Sequence, residues 1–309
     1  MDSILVTGCA GFIGSQVAGA LLDKGYPVLG VDSLNDYYSL RQKEENLKAL
    51  QRKGFCFIRG DLNALDLAPL LQSVKGVMHL AAQAGVRLSW DQFDRYVSDN
   101  ILATHRLLAA SAKAGVRKFV YSSSSSVYGS CPLPFTEDAL PSPSSPYGVT
   151  KLAAEHLCRS YAPSFPVVCL RYFTVYGPRQ RPDMAFHLFI RALLEGRPLE
   201  VFGDGTQSRD FTYVSDVVDA NLLALEGKAT GVFNIASGTT VTLREAVTLL
   251  EELTGKKARL SEQAPGQGEM PHTEASLKRA REALGYRPSV PLREGLEKEI
   301  KWLKAFYGH

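Results

Sequence analysis

Tyr147 and Lys151 stand four residues apart, and on a helix that spacing places both side chains on one face, about one turn from each other. A phenol titrates near pH ~10 and is a poor base at neutral pH. A neighbouring ammonium favours the phenolate, which makes proton exchange with a substrate hydroxyl feasible. The run Ser122-Ser123-Ser124-Ser125-Ser126 lies ahead of the pair, separated from it by a Pro- and Ser-rich stretch over 132–146. A hydroxyl from that run can hydrogen-bond the phenol oxygen and help to place it. The same residues also describe a surface Tyr and Lys beside a flexible Ser loop. What precedes them in the chain decides between the two.

Ser3–Thr7 reads as a buried strand, and Gly8-Cys9-Ala10-Gly11-Phe12-Ile13-Gly14 follows it. Apolar residues at Ile13, Val17, Ala20, Leu21 and Leu22 then recur at helical spacing. A glycine loop between a strand and a helix is the context in which glycines let the backbone approach a pyrophosphate and free helix N–H groups face the anion. The next strand, over 27–31, ends at Asp32, 18 residues after Gly14. An acid there accepts hydrogen bonds from both hydroxyls of an adenosine ribose and repels a 2′-phosphate. Ser33 follows where a phosphate-binding Arg would otherwise stand. The combination favours NAD over NADP.

The elements that must position these groups follow in alternation. Asn35-Asp36-Tyr37-Tyr38 opens a helical segment running to about Lys53, and 55–59 is a third strand closed by Gly60-Asp61-Leu62. A fourth strand over 76–80 leads into Ala81-Ala82-Gln83-Ala84-Gly85-Val86-Arg87, whose small residues allow a cofactor to lie against the backbone. His79, inside that apolar strand, reads as a packed core residue. A helix over 95–114, a strand over 118–122, the Tyr147 helix and a strand over 167–170 continue the pattern. Alternation of this kind implies a Rossmann-type, doubly wound parallel sheet with both faces covered, binding ligands at the carboxyl ends of its strands. Gly8, Asp32, Asp61, Ala81 and Ser122–Ser124 all fall at such ends. Beyond Arg171 the alternation lapses. Helices near 185–195, 215–225, 243–254 and 292–306 and short strands near 199–202, 211–214 and 232–236 read as a smaller α/β lobe. The domain expectation is therefore 1–171 for the cofactor and 172–309 mainly for substrate, with elements near 211–236 returning to the first. Thr242-Leu243-Arg244-Glu245 is a capping box.

Composition narrows the class. Hydrophobic content of 45% and charged content of 22% over 309 residues describe an ordinary globular protein with a large core. A net charge of +3 with scattered Lys and Arg argues against a dedicated nucleic-acid surface. No apolar run reaches bilayer length, and Met1–Val6 carries no basic flank or cleavage site of a signal peptide. Five cysteines without a Cys-x-x-Cys pair point to reduced thiols in a cytoplasm rather than a disulfide framework or a zinc site, so no metal is expected.

With these residues assembled, the chain resembles the extended short-chain dehydrogenase/reductase family in its nucleotide-sugar epimerase/dehydratase branch. The likeness runs from Thr7-Gly8-x-x-Gly11-Phe12-Ile13-Gly14 through Asp61-Leu62, Leu80-Ala81-Ala82-Gln83 and Val127-Tyr128-Gly129. It continues in Tyr147-x-x-x-Lys151, Arg171-Tyr172-Phe173, Gly203-Asp204-Gly205 with Arg209-Asp210-Phe211, Gly268-Glu269-x-Pro271 and Leu284-Gly285-Tyr286-x-Pro288. The resemblance implies a tightly held NAD that is reduced and reoxidised within one turnover. Tyr147 would deprotonate the sugar C4 hydroxyl, Lys151 would bind the nicotinamide ribose and lower the Tyr pKa, and Ser124 would bridge Tyr147 and substrate. It also implies cofactor contacts at Asn35, Asn100, Ser122, Tyr172 and Val175, beside those at Phe12, Ile13, Leu62, Leu80, Ala82 and Gln83. Arg87, Val201, Arg209 and Glu269 are implied as contacts to the UDP part of the substrate.

Within the branch, 4,6-dehydratases carry an Asp and a Glu where this chain has Ser125 and Ser126, and decarboxylating relatives carry a Glu at the place of Ser126. Neither acid is present, which leaves 4-epimerisation. Thr174, Arg181-Pro182-Asp183-Met184-Ala185, Gln83–Arg87 and Asn35–Tyr38 are similar to UDP-glucuronate 4-epimerases. Hydroxyls of Ser124, Ser125, Ser126 and Thr174 with the Arg181 guanidinium would clamp a C6 carboxylate through charge-assisted bonds. Holding the carboxylate matters because a 4-keto uronic acid is a β-keto acid that decarboxylates readily. A salt bridge to Asp183, or a solvated loop position, is the other reading of Arg181. The chain departs from the branch at Cys9, where a Gly is frequent, at Ser33, where an Asn is, and at Glu269, where an Asp is usual. UDP-glucose or another neutral sugar is the alternative substrate, and an NAD-sensing or RNA-binding protein the remote one. A homodimer built on helices 95–114 and 147–161 is a further implication of the resemblance.

Overall fold

The computed structural model describes residues 2–264 and 266–308. The first half alternates as β1 (Ser3–Thr7), α1 (Phe12–Asp23), β2 (Val28–Asp32), α2 (Leu40–Lys48), β3 (Phe55–Arg59), α3 (Leu67–Leu71) and β4 (Val74–His79). It continues with α4 (Phe93–Tyr96), α5 (Ala103–Ala114), β5 (Lys118–Ser124), α6 (Pro146–Ser160) and β6 (Val167–Tyr172). After β7 (Val175–Tyr176) come α7 (Ala185–Glu195), β8 (Leu199–Phe202), β9 (Ser208–Asp210), β10 (Thr212–Tyr213) and α8 (Val214–Glu226). The chain ends through β11 (Gly231–Ile235), β12 (Thr240–Thr242), α9 (Leu243–Thr254), β13 (Leu260–Gln263) and α10 (Leu292–Tyr307).

Seven strands form one sheet in the order β11-β6-β5-β4-β1-β2-β3, parallel throughout. This is the expected Rossmann-type sheet, and β11 is the late strand that returns to it. Apolar cores cover both faces. One holds Val6, Val17, Leu21 and Val120 with the late helices, and the other holds Leu5, Val77, Leu107 and Phe119 with α3, α5 and α6. β6 is buried at all six positions, as a central parallel strand must be. His79 is a core residue, as expected: its ring sits between the hydroxyls of Thr7 and Thr104, 2.8 Å from each, and burial pushes its pKa down to about 3.

Three element boundaries differ from expectation. The helix expected from Asn35 begins at Leu40 and ends at Lys48. The Asn35 side chain accepts from the Tyr37 amide at 3.3 Å, a local turn that competes with helix, and Ser39 is the cap that starts the helix. The helix expected over 95–114 is interrupted at Val97–Leu102, where the turns widen to a π-helix. The strand expected over 211–214 is only Thr212–Tyr213, with α8 starting at once. The capping box Thr242/Glu245 is present. Among the described residues no helix is long and apolar enough to cross a membrane, and no group of three or more His, Cys, Asp or Glu could hold a metal ion.

Candidate active site

The loop after β1 is built for close approach. Gly8 has φ +70°, and a Cβ there would lie 2.8 Å from the Ala81 amide nitrogen. A Cβ on Gly14 would collide with the Gly8 carbonyl. The loop therefore tolerates only hydrogens at these positions, and α1 starts at Phe12 with no side chain capping its amides. Asn46 fastens the loop from α2, donating to the Ala10 carbonyl at 2.9 Å. Asp32, at the end of β2, accepts from the Ala10 and Leu34 amides at 3.0 and 2.9 Å. Each of its oxygens retains acceptor capacity for a hydroxyl.

A cleft of about 410 Å³ runs along these strand ends, within the ~300–1,000 Å³ usual for cofactor sites. Gly8, Gly11, Phe12, Ile13 and Gly14 line it, followed by Asp32, Asn35, Asp61 and Leu62. Leu80, Ala81, Ala82, Gln83, Ser122, Tyr147, Lys151, Tyr172 and Arg181 also stand in the wall. The residues fit a dinucleotide: free helix amides and glycines for a diphosphate, a carboxylate for ribose hydroxyls, small side chains where a flat ring must lie. Asn100 and Val175, implied by the resemblance, do not line the cleft. Asn100 exchanges two hydrogen bonds with the Gln83 backbone, at 2.8 and 3.0 Å, and donates to Thr150 at 3.0 Å. The widened turns at 97–102 carry this side chain, so the irregular helix joins the cleft wall to α6. Val175 is buried in β7.

Ser145 caps α6, accepting from the Gly148 amide at 3.1 Å, with Pro146 at the first helical position. Tyr147 thus sits in the first turn and Lys151 in the second. Burial raises the Tyr147 pKa, while the Ser124 hydroxyl and then the Arg181 charge pull it down. Lys151 is directed elsewhere: its ammonium donates to the Ser122 carbonyl at 2.5 Å and lies 4.5 Å from the Tyr121 ring centroid. Burial pushes its pKa down to about 8. Ser124 accepts from the Ser126 amide at 3.1 Å, closing the turn that presents this hydroxyl. Ser125 is buried, and Ser126 and Thr174 are half-buried.

Arg181 is both in the cleft wall and in a salt bridge. Its Nε and Nη2 donate to the two Asp183 oxygens at 3.0 Å each, and the Tyr37 phenol donates to the same carboxylate at 3.1 Å. Of the two sequence readings of Arg181, the salt bridge is the one seen, and the same side chain reaches the cleft wall. Arg87 and Glu269 meet each other at 2.7 Å, with the Arg87 guanidinium 3.5 Å above the Phe202 ring. Arg209 donates to the carbonyls of Ser208 and Pro271 at 3.0 Å each, and Val201 is buried in β8. A stacked guanidinium, an aromatic ring and two further ionic groups form a polar corner separate in composition from the glycine-rich cleft.

One group that sequence reasoning missed is Glu155, one turn beyond Lys151. Its carboxylate accepts from Ser123 at 2.8 Å and from Arg171 at 3.0 and 2.6 Å. Ser123 and Arg171 are register partners on β5 and β6, so Glu155 ties α6 across both strand ends. The signal was its place four residues after Lys151 on the same helix face.

Against known proteins, residues 4–236 match the NAD dependent epimerase/dehydratase family. A protein of Bacillus subtilis (strain 168) described as an uncharacterized UDP-glucose epimerase, YtcB, is 45% identical, with 98% of each chain covered. UDP-glucuronate 4-epimerase 2 of Arabidopsis thaliana is 39% identical over 99% of this chain and 76% of its own. The crystal structure of UDP-glucuronic acid 4-epimerase from Bacillus cereus in complex with UDP-glucuronic acid and NAD superposes with a TM-score of 0.96 at 45% identity, covering 99% of this chain and 100% of that one. The chain belongs to the NAD dependent epimerase/dehydratase family.

Proposed function

We infer that this family member catalyses the NAD-dependent 4-epimerisation of UDP-glucuronate to UDP-galacturonate. The observation that carries the reading is one cleft that holds Tyr147, Lys151 and Arg181 beside the glycine loop and Asp32, with serines rather than acids at 125 and 126. NAD held along the glycine loop and Asp32 would supply the hydride acceptor and donor for C4. Tyr147 accepts the O4 proton as the 4-keto sugar forms and gives it back after the sugar has turned. Ser124 holds the phenol oxygen and lowers its pKa, while Arg181 stabilises the phenolate. Lys151 keeps α6 docked on β5 through the Ser122 carbonyl and supplies N–H donors to the nicotinamide ribose. Arg181 with Ser124, Ser125, Ser126 and Thr174 holds the C6 carboxylate. Without an acid at 125 or 126 nothing is placed to remove water from the sugar. Arg87, Arg209, Glu269 and Val201 hold the UDP part. Asn100 acts on the cofactor through Gln83.

The division of labour between residues 1–171 and 172–309 belongs to the same proposal, as does a cytoplasmic location, with which five free cysteines agree. A homodimer fits the exposed Leu102 and Val149 on the surfaces of the 97–114 and 146–160 segments. Sedimentation at micromolar concentration would show a monomer if that assignment is wrong. A neutral sugar is the second reading, favoured by the Arg181–Asp183 pair, in which the guanidinium charge is already matched by a carboxylate. UDP-glucuronate labelled with deuterium at C4 tests the reaction. The UDP-galacturonate formed should keep the label at C4, since the same hydride returns; loss of the label to solvent would exclude the mechanism.

A further inference from the structure

We propose that Asp183, held by Tyr37, is the positioning residue that aims Arg181 and thereby decides whether the uronate keeps its carboxylate. The inference rests on the reading of Arg181 as the carboxylate contact. A guanidinium carries five N–H bonds in a rigid plane. Asp183 takes the side-on pair, Nε and Nη2, at 3.0 Å each. The end-on fork, one N–H bond of Nη1 and the second of Nη2, is left for another planar anion. Because the ion is planar, fixing one edge fixes the direction of the other.

The frame is anchored from the cofactor side. Tyr37 donates to Asp183 Oδ2 at 3.1 Å from the loop that follows β2. Lys43, buried on α2, holds that loop by donating to the carbonyl and side chain of Asn35 at 2.6 and 2.8 Å. The neighbouring Gln42 donates to the carbonyls of Arg179 and Gln180 at 2.8 and 3.0 Å. Arg179 itself has φ +71°, a conformation a non-glycine residue keeps only when its surroundings impose it. Two ties thus join the cofactor-side loop to the segment that carries Arg181.

The chemistry needs such a frame. In the 4-keto sugar the C5–C6 bond can break when it aligns with the carbonyl π system. Its electron pair then becomes the C4–C5 enolate, carbon dioxide leaves, and C5 takes a proton to give a 4-keto pentose. The decarboxylation itself is redox-neutral; the hydride taken from C4 would either return to give the pentose or, if the 4-keto pentose is released, remain on the cofactor after one turnover. A guanidinium free to swing would hold the anion by charge yet allow that rotation. An aimed one fixes the torsion.

The test gives UDP-glucuronate to holoenzymes carrying Asp183→Asn, Asp183→Glu, Tyr37→Phe or Arg181→Leu and resolves uronate from pentose products, with bound NAD and Tm measured alongside. Asp183→Asn should lower kcat for epimerisation about tenfold, the size of one charge-assisted bond lost, and should release pentose that the parent does not. Tyr37→Phe should move in the same direction by less, Asp183→Glu should restore part of the uronate yield, and NAD content should hold. Pure UDP-galacturonate at the parental kcat from Asp183→Asn, with Arg181→Leu impaired, would overturn the role of Asp183 alone. Unchanged kcat/KM and no pentose from Arg181→Leu would overturn the clamp, and this inference with it. If Asp183→Asn does not fold, parental product partition in Tyr37→Phe overturns the proposal.

Discussion

Replacing Glu155 by Gln removes one charge from the most deeply buried ion pair described. The side chains of Glu155 and Arg171 are 1% and 3% exposed, and the carboxylate makes all three of its bonds to Ser123 and Arg171. The amide would leave a buried guanidinium whose other contact is the Tyr128 ring at 4.7 Å and whose Nη1 already has no partner. Breaking such a pair from one side costs about 3–5 kcal/mol. With an unfolding entropy of about 2.1 cal/mol/K per residue over 309 residues, Tm should fall by about 5–8 °C. Replacing both partners by Met leaves no unpaired charge, so the double variant should regain most of that loss. Calorimetry on the three proteins reads the effect, and kcat measured on each reads its consequence for α6. A drop under about 1 °C in Glu155→Gln, about a fifth or less of the cost expected for a buried pair, would contradict this assignment. So would a double variant less stable than the single one.

Three further outcomes follow from the cleft. Because Ser124 pulls the Tyr147 pKa down against burial, Ser124→Ala should move the rising limb of the kcat–pH profile to higher pH; an unmoved limb would separate Ser124 from the phenol. Lys151 has its pKa depressed from 10.5 to about 8, so in the cofactor-free chain its contribution to stability is complete above pH 10.5 and is lost as pH falls through about 8. Unfolding free energy should therefore rise across that window, and Lys151→Met should flatten the rise in denaturant titrations. Gly8→Ala combines a left-handed backbone, which costs an L-residue about 1–2 kcal/mol, with a Cβ 2.8 Å from the Ala81 amide; NAD content after purification should collapse while UDP binding by calorimetry persists.

The glycine loop, Asp32 and the Tyr147–Lys151 pair were legible in the sequence because each is a local pattern whose chemistry needs those residue types at that spacing. The sheet was legible for the same reason, through apolar runs ending in small or acidic residues. The start of α2 at Leu40 was not, since the competition between the Asn35 turn and the Ser39 cap is settled by fractions of a kcal/mol. The widening at 97–102 leaves no mark on apolar periodicity. Glu155 with Arg171 and Tyr37 with Asp183 are pairs 16 and 146 residues apart, created only when the strands align. Arg181 shows how far residue chemistry reaches. The salt bridge to Asp183 is formed by one edge of its guanidinium, and only the geometry shows which edge that is; the substrate contact is the proposal placed on the other edge.

The most direct measurement is to incubate the purified holoenzyme with UDP-glucuronic acid and resolve the nucleotide sugars formed. UDP-galacturonic acid without any pentose product is the expected result. UDP-xylose or a 4-keto pentose would contradict the reading of the serines and of Arg181. Inertness toward UDP-glucuronic acid with conversion of UDP-glucose would contradict the carboxylate clamp and move the enzyme to a neutral sugar.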